Sequence, residues 1–255
     1  MRPNVLVIAG HDPSGGAGIH ADIEAIQSTG GFASTLITAL TVQNSRNVSG
    51  FQLTPLDLLD QQADALLADY EFQAVKIGMT GSPAMVEWIA RLLARLPGVP
   101  VVLDPVLAAE AGGSLAQGDL NEALLDLLAP RATVLTPNLP EARALSGEQD
   151  VHAAGVALAR RCGQAVLVTG THAETDQVAN HLFAGDRHHQ WEWPRLPEVY
   201  HGSGCSLASS MASLLAQGRP LEDATGDAQA WLHQALRQAW RPGGGQHVPD
   251  RSTAP

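Results

Sequence analysis

Residues 5–25 read Val-Leu-Val-Ile-Ala-Gly-His-Asp-Pro-Ser-Gly-Gly-Ala-Gly-Ile-His-Ala-Asp-Ile-Glu-Ala. Five apolar residues lead into a glycine-rich turn, and an amphipathic run follows. An apolar run without polar alternation suits a strand buried on both faces. At five residues it is too short for a signal-peptide core, and it runs straight into His11 and Asp12. Strand, glycine-rich turn and helix in this order open a parallel α/β sheet.

The same alternation continues outward from this unit. Further strands are expected over 33–41, 74–78, 99–104, 133–136 and 165–169. Helical patterns cover 19–28, 55–69, 83–96, 120–128, 140–145 and 151–161. Strands that are apolar on both faces and separated by helices predict a three-layer α/β/α fold with a mostly parallel central sheet. Right-handed crossovers place all the strand C-terminal ends along one edge, where ligands bind in such sheets. After Gly170 the pattern changes. Residues 177–183 and 189–193 flank Ala184-Gly185-Asp186-Arg187, which reads as a β-hairpin at the sheet edge. Two more helices are expected over 205–217 and 221–240. The Gly- and Pro-rich tail, 242–255, is expected to be partly flexible. No repeat or linker interrupts the chain, so residues 1–255 read as a single domain.

Composition narrows the function. The 255 residues are 45% hydrophobic and carry a net charge of −11. That charge argues against nucleic-acid and anionic-membrane partners, and no run reaches the ~18 apolar residues of a membrane span. A cytoplasmic protein is expected. Cys162 and Cys205 make neither a disulfide scaffold nor a zinc motif. A polyanionic substrate such as ATP would have to be held by helix N-termini, backbone amides and a divalent metal. Lys76 is the only lysine.

Polar residues gather where the strands end. The loop from Gly10 to Gly18 lacks the Lys-Ser/Thr pair of a P-loop. It matches a dinucleotide fingerprint superficially, as Gly16-x-Gly18-x-x-Ala21, but no acid occurs between Glu24 and Asp57 to hold a ribose. A substrate-side loop, with Asp12 and nearby amides gripping a small polar molecule, and a plain tight turn remain open. Gln43 ends the second strand, and its amide can donate and accept at once, as a nitrogen heterocycle requires. Lys76, in an apolar strand, must reach a partner or snorkel to solvent. Asp104 follows an uncharged strand that Pro105 stops, which suits metal or water coordination. The stretch 106–115, with Gly112 and Gly113, is either a flap over the substrate or a surface loop. Asn138 and Glu141 suit a helix cap, and with Asp104 they also suit a shared magnesium site.

His201-Gly202-Ser203-Gly204-Cys205-Ser206 is the most pointed signal. Two glycines around a small polar residue form a backbone nest at a helix N-terminus, an anion hole suited to a transferring phosphoryl group. Cys205 would lie in the first helical turn, where the dipole is expected to lower its pKa toward thiolate. A thiolate there accepts a proton from an attacking hydroxyl, or the group simply orients it.

Taken together, these parts resemble the ribokinase-like superfamily, and within it the hydroxymethylpyrimidine/phosphomethylpyrimidine kinases of thiamine biosynthesis. GHDPSGGAGIHADIEA, TALTVQN, KIGM, VVLDPVL, TPNLPEA, YHGSGCSLASS and GGGQHVPDR carry the likeness over nearly the whole chain. The resemblance implies ATP-dependent phosphorylation of 4-amino-5-hydroxymethyl-2-methylpyrimidine and then of its monophosphate. It implies that Gln43 bonds the aminopyrimidine, with Gly10, Asp12, Met79 and Val106 lining the pocket. Asp104 and Glu141 would hold Mg2+. Asn138, Thr169, Thr171 and His172 would lie along the nucleotide. Gly202, Ser203, Gly204 and Cys205 would form the anion hole, with Cys205 acting on the nucleophile. A homodimer is expected, with the pyrimidine and ATP as its small-molecule partners. Many members carry Lys-Gly-Gly-His where this chain has Thr169-Gly170-Thr171-His172, so one positive charge near the ATP phosphates is missing. Two other readings of the same parts are a pyridoxal kinase of the same branch and a weakly catalytic pyrimidine-binding regulatory protein.

Overall fold

The computed structural model describes residues 2–107, 120–173 and 175–253. The opening strand, β1 (Asn4–His11), shows why both faces of the sheet are covered. Val5, Val7 and Ala9 pack into one apolar core, and Leu6 and Ile8 into another, as successive residues of a strand must. Helix α1 (Gly18–Ser28), strands β2 (Phe32–Gln43) and β3 (Val48–Leu53), helix α2 (Leu56–Leu67), strand β4 (Ala74–Ile77) and helix α3 (Pro83–Leu93) follow. Strand β5 (Val101–Leu103), the short helix α4 (Leu120–Ala123), strand β6 (Val134–Leu135) and helices α5 (Leu139–Ser146) and α6 (Val151–Cys162) lead to β7 (Ala165–Val168). The hairpin β8 (Gln177–Ala184) and β9 (Arg187–Pro194), then α7 (Ser203–Ala216) and α8 (Leu221–Arg237), complete the order.

The described strands form one sheet, in the order β3-β2-β1-β4-β5-β6-β7-β8-β9. From β2 to β7 the neighbours are parallel. Strand β3 pairs antiparallel at one edge, and the hairpin does so at the other. Helices α1, α7 and α8 share one core with the sheet, and α2 to α6 share the other. This is the expected three-layer arrangement. Chain order reverses at β1, which has β2 on one side and β4 on the other, so the crevice beyond their C-terminal ends is the topological switch point of the sheet.

Several boundaries moved. The expected strand over 133–136 is only Val134–Leu135. Strand β3 was not anticipated, because Val-Ser-Gly-Phe-Gln-Leu carries a glycine and sits at an edge where apolar content is low. The stretch 106–115, read as either a flap or a surface loop, lies outside the described residues from position 108 onward. The hairpin turns through Gly185 and Asp186, with Gly185 at φ 60°. The tail, expected to be partly flexible, is tied down through residue 253. Trp240 pairs with Val248, Tyr200 pairs with His247, and Val248 and Arg251 are buried.

Candidate active site

The loop after β1 is built around Asp12. Its Oδ1 accepts hydrogen bonds from Ser14 N at 2.8 Å and Ser14 Oγ at 2.7 Å. Its Oδ2 accepts from Ala17 N at 2.9 Å and lies 2.8 Å from His201 Nε2. Burial alone would push this carboxyl up, but the bonds from His201 and Ser14 more than reverse it, and its pKa falls to about 2. Asp12 is 1% exposed, and both of its oxygens are engaged within the protein. The structure gives its carboxylate the work of folding the loop. The backbone of Gly10 lines the cavity, and a Cβ there would lie 2.9 Å from Met79 Sδ.

That cavity, of about 510 Å³, occupies the switch point and is lined along one side by the ends of β1, β2 and β4. A volume of this size suits a small ligand together with part of a nucleotide. Gln43 lies in its wall, its Nε2 donating to Thr41 Oγ1 at 2.7 Å, and Thr41 Oγ1 donating to His11 O at 2.8 Å. Met79 and Val106 add apolar surface. The carbonyl of Met79 accepts from Thr38 Oγ1 at 2.6 Å, which fixes the chain as it leaves β4.

Lys76 does not snorkel. It is fully buried at the floor of the cavity and pairs with Asp22 Oδ1 on α1 at 2.8 Å. Burial alone would lower its pKa, but Asp22, Cys205 and Asp104 together hold it above the ordinary lysine value. Ser209 Oγ of α7 donates to the same Asp22 oxygen at 2.7 Å, while Asp22 Oδ2 has no partner among the described residues. Asp22 was missed from sequence. The signal was present: a lone lysine in an apolar strand demands an acid, and Asp22 falls on the apolar face of α1, between Ile19 and Ile26.

Asp104 continues β5 into the cavity. Burial pushes its carboxyl up to about 6, against the lowering effect of Lys76 and with a further raise from Asp22. Asn138 and Glu141 form a reciprocal capping box on α5: Glu141 N donates to Asn138 Oδ1 at 2.9 Å, and Asn138 N donates to Glu141 Oε2 at 2.9 Å. Both also line the cavity. Among the described residues no group of three or more His, Cys, Asp or Glu side chains is arranged to hold a metal. A magnesium ion does not need such a cage. It keeps several waters and takes one or two carboxylates plus substrate phosphates. Asp104 and Glu141, two carboxyl groups lining the same cavity, fit that mode.

The β7 end carries Thr169, whose N donates to Pro137 O at 3.0 Å and whose O accepts from Leu139 N at 3.1 Å. Thr169 is thereby locked beside the capping box. Thr169, Thr171 and His172 line the same cavity. Burial and Arg195 both lower the His172 pKa. Arg195, which sequence reading missed because nothing local marks it, curls over this loop. Its Nε, Nη1 and Nη2 donate to the carbonyls of Thr175, Thr171 and Ala173 at 2.6, 2.8 and 2.7 Å.

Opposite them α7 begins at Ser203, two residues earlier than expected, with Gly202 at φ 78° as its N-cap. A Cβ on Gly202 would lie 2.0 Å from Gly16 O, so only glycine fits at this junction of two loops. Ser206 Oγ donates back to Gly202 O at 2.7 Å. The amides of the first turn, like those of any helix start, have no acceptor within the helix and point out of its end, as an anion-binding nest requires. Gly202, Ser203, Gly204 and Cys205 all line the cavity. The expectation for Cys205 needs correction. Burial pushes its thiol up to about 12, and Lys76 only partly opposes it, while Asp22 and Asp104 raise it further. The helix start was legible in the sequence; the desolvated surroundings of the thiol and the acids near it were not.

The site thus joins a helix N-terminus, the buried carboxyl groups of Asp104 and Glu141, and a pocket wall that carries the Gln43 amide. Comparison with known proteins gives the family and the fold. A family model described as phosphomethylpyrimidine kinase matches residues 12–250. A thiamine biosynthesis multifunctional protein of Corynebacterium efficiens is 40% identical over 246 residues, covering 93% of this chain but 33% of that protein. The chain thus spans only a third of that relative. The hydroxymethylpyrimidine/phosphomethylpyrimidine kinase of Salmonella typhimurium is 37% identical over 246 residues, 94% of this chain and 92% of that protein. The pyridoxal kinase of Staphylococcus aureus, solved with AMP-PCP and pyridoxal, superimposes with a TM-score of 0.89 at 26% identity, covering 99% of this chain and 94% of that one. The fold is the ribokinase-like α/β/α sandwich, and with the family model spanning all but the ends of the sequence, the chain belongs to the phosphomethylpyrimidine kinase family.

Proposed function

We propose that this protein transfers the γ-phosphoryl group of ATP to 4-amino-5-hydroxymethyl-2-methylpyrimidine, and then to the resulting monophosphate, yielding the diphosphate. One observation carries the reading. The amide nest at Ser203–Cys205 opens into the same cavity that Gln43, Met79 and Val106 line on one side and Asn138, Thr169 and Thr171 on the other. A heterocycle held by Gln43 has its hydroxymethyl group directed at the nest, with the nucleotide entering from the Thr169 side.

Phosphoryl transfer through a loose transition state needs positioning and charge neutralisation more than a strong base. The nest amides take up charge on the transferring group. Cys205, as a neutral thiol, orients the attacking hydroxyl without removing its proton at the outset. Lys76, beneath the site, keeps a positive charge near Asp104 and Cys205. Asp104 and Glu141 would hold Mg2+, which supplies charge neutralisation on the phosphates. Thr171 and Arg195 line the cavity near Thr169, the position at which the resemblance leads to a lysine. The exposed apolar side chains Phe32, Leu40 and Val42 on β2 support a homodimer. Two free cysteines and the acidic charge support a cytoplasmic location, where thiols stay reduced.

The likeness to a pyridoxal-bound kinase favours a second reading, in which pyridoxal is the acceptor. Incubation with ATP, magnesium and either alcohol, followed by product analysis, separates them. The pyrimidine mono- and diphosphates are expected. Phosphorylation of pyridoxal alone would transfer the assignment to that reading, and absence of magnesium-dependent ATP turnover with both would end the kinase reading.

A further inference from the structure

The Gly10–Gly18 loop and the start of α7 are distant stretches of chain, and a third stretch fastens them together. Arg251, from the C-terminal tail, is 2% exposed. Its Nη2 donates to the carbonyl of Gly16, and its Nε donates to Ser206 Oγ at 2.7 Å. Its Nη1 pairs with Glu24 Oε2 at 3.0 Å, and its own carbonyl accepts from Ser28 Oγ. Because Ser206 accepts from Arg251, its own proton is committed to Gly202 O. The guanidinium therefore reaches the N-cap of α7 through one hydroxyl. It also lies close beside that residue: a Cβ on Gly202 would sit 2.8 Å from Arg251 Nη2. The tail reaches this point along a fixed route. His247 N donates to Val199 O at 2.9 Å, His201 N donates to His247 O at 2.8 Å, and Asp250 N donates to Ala235 O at 3.0 Å.

We propose that Arg251 is a positioning residue for phosphoryl transfer: its planar fork clamps the Gly16 carbonyl to the first turn of α7 and so sets where the amides of Ser203, Gly204 and Cys205 point. It touches no reacting atom. The Gly16 carbonyl packs so closely on Gly202 that a Cβ there would lie 2.0 Å from it, and a cation with donors in a fixed fork ties that carbonyl to Ser206 across the junction. A lysine, with one flexible ammonium, cannot span Gly16 O, Ser206 Oγ and Glu24 in one plane. The inference rests on the kinase reading.

The experiment separates the two. Wild-type turnover of the pyrimidine alcohol with ATP and magnesium decides the kinase reading by itself. Arg251→Gly is then expected to lower kcat about 100-fold, the scale of a small misplacement of catalytic groups, with both KM values nearly unchanged. Methylguanidinium added to Arg251→Gly is expected to restore a substantial part of kcat, and Arg251→Lys is not. Ser206→Ala, which cuts the link while leaving the charge, is expected to lower Tm modestly, because a buried donor loses its partner, and to lower the kcat of the folded enzyme when assayed well below that Tm. An unchanged kcat in folded Ser206→Ala or Arg251→Gly would overturn the proposal. So would a loss that follows only the falling Tm and does not respond to methylguanidinium.

Discussion

His201 Nε2 lies 2.8 Å from Asp12 Oδ2, and this contact closes the loop after β1 onto the residue that leads into the anion hole. Both side chains are buried, and Gly16 is packed so tightly against the ring that a Cβ there would lie 2.2 Å from His201 Cδ2. The carboxylate thus organises the site from behind. Asp12→Asn keeps the shape but loses charge-assisted bonds, so a stability loss of about 2 kcal/mol is expected at pH 7. The sign with pH follows from the depressed pKa, about 2 against an ordinary 3.8. The stabilisation is fully present above the ordinary value and disappears as pH falls through the folded one. Urea melts should therefore show wild type and Asp12→Asn far apart at pH 7 and converging toward pH 2. A constant gap across that range would mean that the charge of Asp12 is not what holds the loop.

Gly204 offers a cleaner test of the anion hole than Gly202 does. Nothing lies within 4 Å of a Cβ built on Gly204, so a substitution there leaves packing intact. Gly204→Ala should fold and retain turnover. Gly204→Asp should fold equally well but place a carboxylate at the nest, lowering kcat by about 100- to 1,000-fold, the scale of losing an oxyanion donor. Turnover near wild type in a folded Gly204→Asp, measured beside its Tm, would remove the nest from the chemistry.

Cys205 is expected to behave as a thiol. With its pKa pushed up to about 12, the thiolate fraction at neutral pH is negligible. Alkylation by iodoacetamide at pH 7.5 should be slower than for free cysteine. Cys205→Ala should lower kcat more than it raises KM, by less than about 100-fold, the low end for a true general base. A kcat inflection near pH 7–8 that vanishes in Cys205→Ala would instead reveal a working thiolate.

What the sequence disclosed and what it hid divide along one line. Each apolar strand announces itself, and the polar residue that ends it is next in the chain. Asp104 after Val101–Leu103 and Asn138 with its capping partner Glu141 are therefore legible from neighbours alone. The contacts that make a site of them are not local. Asp22 and Lys76 are 54 residues apart, Asp12 and His201 are 189 apart, and Gly16 and Arg251 are 235 apart. No spacing rule encodes such pairs. Burial is likewise a property of the folded whole, which is why the dipole argument at Cys205 pointed the wrong way. Strand β3 escaped notice because an edge strand with a glycine has little apolar periodicity to show.

Arg195 is expected to govern the nucleotide half of the site. Thr169 brings no charge to this end of the cavity, and Lys76 is already committed to Asp22. Arg195 is the one arginine among the described residues lining the cavity. Three of its five N–H donors hold the carbonyls of Thr171, Ala173 and Thr175, which leaves two for a phosphate. Arg195→Met should therefore raise the KM for ATP about 10-fold, the worth of one charged hydrogen bond, and leave the KM for the pyrimidine alcohol unchanged. Arg195→Lys should recover only part of this, because an ammonium restores the charge but not the three-carbonyl grip. The salt dependence of the ATP KM should flatten in Arg195→Met, since a screened attraction has been removed. Initial-rate measurements against both substrates, at two salt concentrations, read all three effects. A shift confined to the pyrimidine KM would place Arg195 on the acceptor side and leave the phosphates to the nest and the metal alone.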